Sequence, residues 1–137
     1  MTHRNAGEVN CSARVIQPGV LSLVFKGYYP PGSEGNDVAN EMVEYTLSAC
    51  RRHDPKAILF DFEKLDYVWG DAICGVVIRL AVERHESPLS LPACVLAHGR
   101  THKALEPLFE RRVCFGLTGA RLFEDREQAM AYLLSSL

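Results

Sequence analysis

The stretch from Ala57 to Leu80 constrains the fold more than any other: an apolar strand, a short loop, then a helix that is apolar on most of its faces. Ala57-Ile58-Leu59-Phe60-Asp61-Phe62 follows Pro55 and is closed by Glu63-Lys64, the pattern of a strand covered on both faces and therefore central in its sheet. Beyond the loop, Arg79, Glu83 and Glu86 fall at helical spacing, while Ile73, Val76, Val77, Leu80 and Val82 fill the other directions. Only a narrow stripe of this helix is left for water, and Ser87-Pro88 is expected to end it. Loops between buried strands and buried helices are where α/β domains carry their function.

The rest of the chain supplies partners for that unit. Residues 1–10 read as a loose lead-in and residues 11–137 as a single domain. Ala13 to Gln17 and Val20 to Lys26 predict two antiparallel strands around a Pro18-Gly19 turn. Gly27 to Asn36 is dense in turn formers, and Asn36 or Asp37 can cap a helix running to His53. In that helix Val38, Met42, Tyr45 and Ala49 share one side, and acidic residues near the start and Arg51-Arg52 at the end suit the helix dipole. Leu91 to Ala97 predicts a second apolar strand. A helix from Thr101 should bury Leu105, Leu108 and Phe109, with a kink or restart at Pro107. Gly116 to Phe123 predicts an edge strand, and Asp125-x-x-Gln128 resembles a capping box for a last helix burying Ala129, Met130, Leu133 and Leu134. The order β-β-α-β-α-β-α-β-α implies one α/β domain with a mixed, mostly parallel sheet and flanking helices.

Composition narrows the function. A chain of 137 residues suits one domain with a real core. Fifteen basic against seventeen acidic residues leave a net charge of −2, with no basic excess to draw nucleic acid or an anionic membrane surface. No apolar run is long enough to span a bilayer, and residues 1–10 are polar, so the chain reads as cytoplasmic. Cys11, Cys50, Cys74, Cys94 and Cys114 are odd in number, widely spaced and mostly within apolar segments, which reads as small buried hydrophobes rather than a disulfide framework or zinc site.

Few residues carry recognisable chemistry. His98 and His102 have a metal-ligand spacing, but Gly99 breaks the helix geometry and a third ligand is missing nearby, so no metal and no cofactor is expected. Cys74 near Asp71 lacks a neighbouring histidine and reads as a buried thiol. Arg100 and Thr101 precede a helix, where an anion could bind. Trp69, the single tryptophan, sits on the loop with Tyr67, Gly70 and Asp71, and Tyr28 and Tyr29 lie in the earlier turn-rich stretch. These aromatics suit a contact surface if they project from one end of the sheet. Asp71 suits a helix cap.

The element order and the stretch from Lys56 onward resemble the STAS domain, the fold of bacterial anti-sigma factor antagonists and of sulfate-transporter tails. Phe60-Asp61-Phe62 matches the family's strand, Leu65 to Val68 its hydrophobic spacer, and Trp69 to Gly75 takes the place of its Asp-Ser-Ser-Gly-Leu-Gly loop. Arg121 to Ala129 is similar to its final strand and Glu-rich helix start. The resemblance implies a noncatalytic regulatory module that binds a protein, an anti-sigma factor or a related kinase, through Tyr67 to Gly75 with Tyr28 and Tyr29 beside it. The chain departs from the family at the serine that accepts phosphate, where Gly70 stands, and no Ser or Thr lies between Ser48 and Ser87. The resemblance then implies no serine switch, with Asp71 offering a permanent carboxylate. A small-ligand or anion sensor or an enzyme using the same loops is the alternative, and a homodimer is compatible with either.

Overall fold

The structure, a computed structural model, describes residues 2–6, 9–86, 89–110 and 114–137, with side chains from residue 9 onward. Among the described residues seven strands form one sheet, ordered β1-β2-β3-β4-β6-β7, with β5 also paired to β3. The strands are β1 (Thr2–Ala6), β2 (Val9–Gln17), β3 (Val20–Tyr29), β4 (Ala57–Asp61), β5 (Leu65–Tyr67), β6 (Ala93–Leu96) and β7 (Arg121–Phe123). β1, β2 and β3 pair antiparallel, and β3–β4, β3–β5, β4–β6 and β6–β7 are parallel. The helices are α1 (Glu34–His53), α2 (Gly75–Glu83), α3 (Gly99–Glu110) and α4 (Arg126–Ser135). No helix among the described residues is long and apolar enough to cross a membrane.

Side-chain alternation along the central strands divides the core in two. Ile58, Phe60 and Phe62 join Leu21, Leu23, Phe25 and Val95 in a large cluster with the inner faces of α1 and α2 and with Leu105 of α3. Ala57 and Leu59 face the other way, where Val20, Cys94 and Leu96 pack under Ala129 and Leu133 of α4. Every residue of β4 is buried, as the sequence pattern requires of a strand covered on both faces.

Several boundaries moved for physical reasons. Thr2–Ala6, expected as a loose lead-in, pairs with β2 through backbone groups, which a polar sequence can do at a sheet edge. α1 starts at Glu34, one turn before Asp37, with Gly35 packed tightly enough that a Cβ there would lie 2.4 Å from the Pro30 carbonyl oxygen. Leu65–Tyr67, expected as a spacer, forms β5. Cys114–Leu117 is a 3-10 turn, so β7 is shorter than the predicted Gly116 to Phe123. α3 runs through Pro107 without a break, and Asp125 caps α4 by accepting the Glu127 N–H, at 2.8 Å, rather than by a reciprocal box with Gln128. Val82 and Leu134, expected in the core, are exposed. The expected stop at Ser87-Pro88 lies outside the described residues.

Candidate functional site

After β4 the chain turns through Phe62 to Lys64 and runs alongside Gly27 to Tyr29 as β5. As an edge strand β5 leaves one row of backbone groups without a ladder. Thr101 of α3, buried, closes that gap: its hydroxyl donates to the Leu65 carbonyl at 2.7 Å and accepts the Tyr67 N–H at 3.2 Å. Thr101 is therefore a tether for the loop, not an anion ligand as its position before a helix suggested.

The next tether is Tyr67. Its hydroxyl donates to the Gly70 carbonyl at 2.6 Å, and its ring meets Tyr29 edge to face with centroids 5.3 Å apart. Both tyrosines are about 1% exposed, so the expectation that they project toward a partner is corrected: they form the floor on which the loop rests. Period-two alternation sends Tyr28 to the opposite side of the strand from Tyr29. Gly70 takes φ +120°, a conformation that side-chain-bearing residues rarely adopt, so the sharp turn out of β5 needs glycine.

Asp71 opens a 3-10 turn, Asp71–Cys74, that feeds directly into α2. The capping position belongs to Gly70, which has no side chain, so Asp71 does not cap as expected; its carboxylate sits in the first turn, exposed, where the helix dipole still favours negative charge. Burial, with help from the Asp71 charge, pushes the Tyr29 hydroxyl up to about 12. The Tyr67 hydroxyl is raised by burial first, then by Tyr29 and Asp71. Both therefore stay protonated around neutral pH, and Tyr67 remains a donor to Gly70.

What this scaffold presents outward is aromatic and aliphatic. Trp69 is 57% exposed, Val68 44% and Tyr28 42%. The indole is not loose: a Cβ built on Gly32 would lie 3.6 Å from its ring, so Trp69 lies over the turn before α1. Farther along, a cleft of about 360 Å³ is lined by Asp71, Cys74, Gly75, Ile78, Leu108 and Cys114 among others. Cys74 and Cys114 form a disulfide across 40 residues, with Cα atoms 5.2 Å apart. This corrects the reading of all five cysteines as separate buried thiols; Cys11, Cys50 and Cys94 are buried and stand outside this bond.

The polar residues singled out in the sequence are committed to structure. Arg100 donates from one nitrogen to both Asp66 carboxylate oxygens, at 2.7 and 2.9 Å, and the α3 N-terminus already meets Glu124, which accepts the Gly99 N–H at 3.3 Å. His98 contacts Glu63 at 2.5 Å and His102 lies 3.5 Å from Glu106. Among the described residues no group of three or more His, Cys, Asp or Glu side chains is placed to hold a metal ion.

One polar constellation escaped sequence reasoning. At the C-terminal end of β4, Arg126 of α4 pairs with the buried Asp61 at 2.5 Å and also with Glu63. Burial would raise the Glu63 pKa, but hydrogen bonds from His98 and Arg126 and their charges outweigh it and hold the carboxyl below its ordinary value. Burial likewise disfavours charge on Arg126, and its bonds to Glu63 and Asp61 overcome that. A cleft of about 220 Å³ lined by Lys26, Asp61, Glu63, Lys64 and Arg126 opens there. The only sequence signal was an acidic residue ending an otherwise apolar strand; its partner lies 65 residues on.

No protein-family model matches the sequence, and no curated protein matches it. Among solved structures, the chain is similar to the crystal structure of an anti-sigma factor antagonist from Mycobacterium paratuberculosis, with a TM-score of 0.62 and 13% sequence identity. The match covers 92% of this chain and 94% of that one. At such identity the likeness bears on the fold, and the fold is STAS-like: one α/β domain built on a mixed, mostly parallel sheet with four α-helices among the described residues.

Proposed function

From the STAS-like fold as premise, we propose that this chain is a noncatalytic regulatory module, cytoplasmic, that binds a protein partner through Trp69, Val68, Gly70 and Asp71, with the outer stripe of α2 beside them. The observation that carries the reading is Trp69: a large aromatic, more than half exposed, on a loop held by Thr101 and the Tyr67 hydroxyl. Interface hot spots are typically aromatic anchors that are already ordered before binding, because little entropy is then lost on association. Ile78, half-buried, and the exposed Val82 add apolar groups on α2, among the exposed Arg79 and Glu83, to the roughly 800 Å² per partner that a stable complex needs.

The fold likeness favours a regulatory protein as partner, an anti-sigma factor or a related kinase. With glycine at position 70 and no Ser or Thr from residue 49 to residue 86, the loop offers no serine or threonine hydroxyl for phosphate, and Asp71 gives it a constant negative charge. Affinity capture from native lysate tests the reading, using the wild-type chain and a Trp69→Ala, Asp71→Lys double variant, with retained proteins and small molecules identified by mass spectrometry. A protein retained by the wild type and lost from the folded variant supports it. A small molecule lost instead, with no protein, replaces it with a ligand sensor.

A further inference from the structure

We propose that Cys74 and Cys114 are a reversible modification site: exchange with a small disulfide of the glutathione type joins them, and the bond clips the start of α2 to the turn preceding β7. The placement of the pair is specific. Their Cα atoms are 5.2 Å apart, within the range a disulfide bridges without moving the backbone. Cys74 is the last residue of the 3-10 turn that leads into α2, and Cys114 is the first residue of the turn Cys114–Leu117. Cys114 holds φ +61°, a left-handed conformation uncommon outside glycine.

Position on an open cleft distinguishes this pair from the other cysteines. Cys74 and Cys114 both line the open cleft of about 360 Å³, and Cys114 is the more exposed residue of the two, 9% against 2%, so the proposed exchange starts there. Cys11 and Cys94 are fully enclosed, and burial pushes the Cys50 and Cys94 thiols up to about 12, so at neutral pH they hold almost no thiolate, the reactive form. The pair also touches the loop that carries Trp69 and Asp71, since the Cys114 sulfur lies 3.8 Å from the Asp71 carbonyl oxygen.

The exchange balances with glutathione disulfide as oxidant. The Cys114 thiolate attacks one glutathione sulfur, the glutathione S–S bond breaks, and one glutathione leaves as a thiolate that takes up a proton. The Cys74 thiolate then attacks the Cys114 sulfur, forms the protein disulfide and releases the second glutathione. The two protein thiols lose two electrons and two protons, and the two glutathione thiols gain them; reduced glutathione runs the same steps backward. Closing the bond restrains the unfolded chain and ties down the first turn of α2, so the oxidised protein should be more heat-stable and its loop quieter.

The chemistry needs no partner protein, so its test stands apart from the binding experiment. The whole chain is equilibrated in glutathione buffers of graded oxidised-to-reduced ratio, quenched with acid, alkylated and mapped by mass spectrometry, and backbone amide exchange is followed at both extremes. The expected result is a Cys74–Cys114 link that grows with the oxidised fraction and opens again when the ratio is reversed, with slower exchange across residues 67–75 in the oxidised form. A Cys74→Ser variant should stop with one glutathione on Cys114. A chain that stays dithiol throughout, a link through Cys11, Cys50 or Cys94, a bond that reduced glutathione cannot open in the folded protein, or equal exchange in both forms would overturn it.

Discussion

Replacing Thr101 with valine removes one hydroxyl and nothing else of its shape, yet that hydroxyl serves two backbone groups of β5, the Leu65 carbonyl and the Tyr67 N–H. Each buried group left without a partner costs about 1–3 kcal/mol, the lower half of the range applying here because the loop lies next to solvent and water can partly replace the hydroxyl. Against this stands the added methyl of valine, worth up to about 0.8 kcal/mol where it is buried. The net loss of unfolding free energy should be about 1–3 kcal/mol, read from urea denaturation. Serine, which keeps the oxygen, should recover most of it. Amide exchange gives a second, local readout: the Tyr67 N–H should exchange much faster in the valine variant, while amides of β4 should follow only the global change. A valine variant as stable as wild type, with Tyr67 exchange unchanged, would refute the claim that Thr101 tethers the loop.

Gly70→Ala forces a side chain into φ +120° and should destabilise by about 1–3 kcal/mol, checked by thermal unfolding. Gly35→Ala should lose a comparable amount, about 1–3 kcal/mol, because the new Cβ meets the Pro30 carbonyl at 2.4 Å and the Tyr29 ring at 2.8 Å; stability near wild type would show that the start of α1 gives way freely. The folded-state pKa of Glu63 is depressed, so its contribution to stability is complete above the unfolded-state pKa and disappears as the pH falls through the folded value. Glu63→Gln should therefore flatten the acid limb of a urea-midpoint against pH curve, and an unchanged limb would remove Glu63 from that role.

How much of this was legible in the sequence depends on how local the cause is. β4 could be read because burial on both faces leaves an unbroken apolar run, and α1 because its apolar residues recur at helical spacing. β5 could not, since three residues become a strand only through pairing with β3 and two bonds to a threonine 34 and 36 residues away. Tyr28 and Tyr29 look alike in sequence, but the strand turns one outward and the other into the core. Asp71 had the composition of a cap and lost that position to a glycine whose backbone makes the turn. Neither the Cys74–Cys114 pair nor the Asp61–Arg126 pair has a spacing that sequence reasoning could use, because both are closed by the sheet and the helices packed against it.

The central claim, that an ordered Trp69 anchors a protein partner, is tested most directly by calorimetric titration of the captured partner into the wild-type chain and into Trp69→Ala. The account predicts unfolding curves that coincide and a dissociation constant raised about fivefold or more, the counterpart of at least about 1 kcal/mol at a hot spot. Equal dissociation constants for the two chains would contradict it.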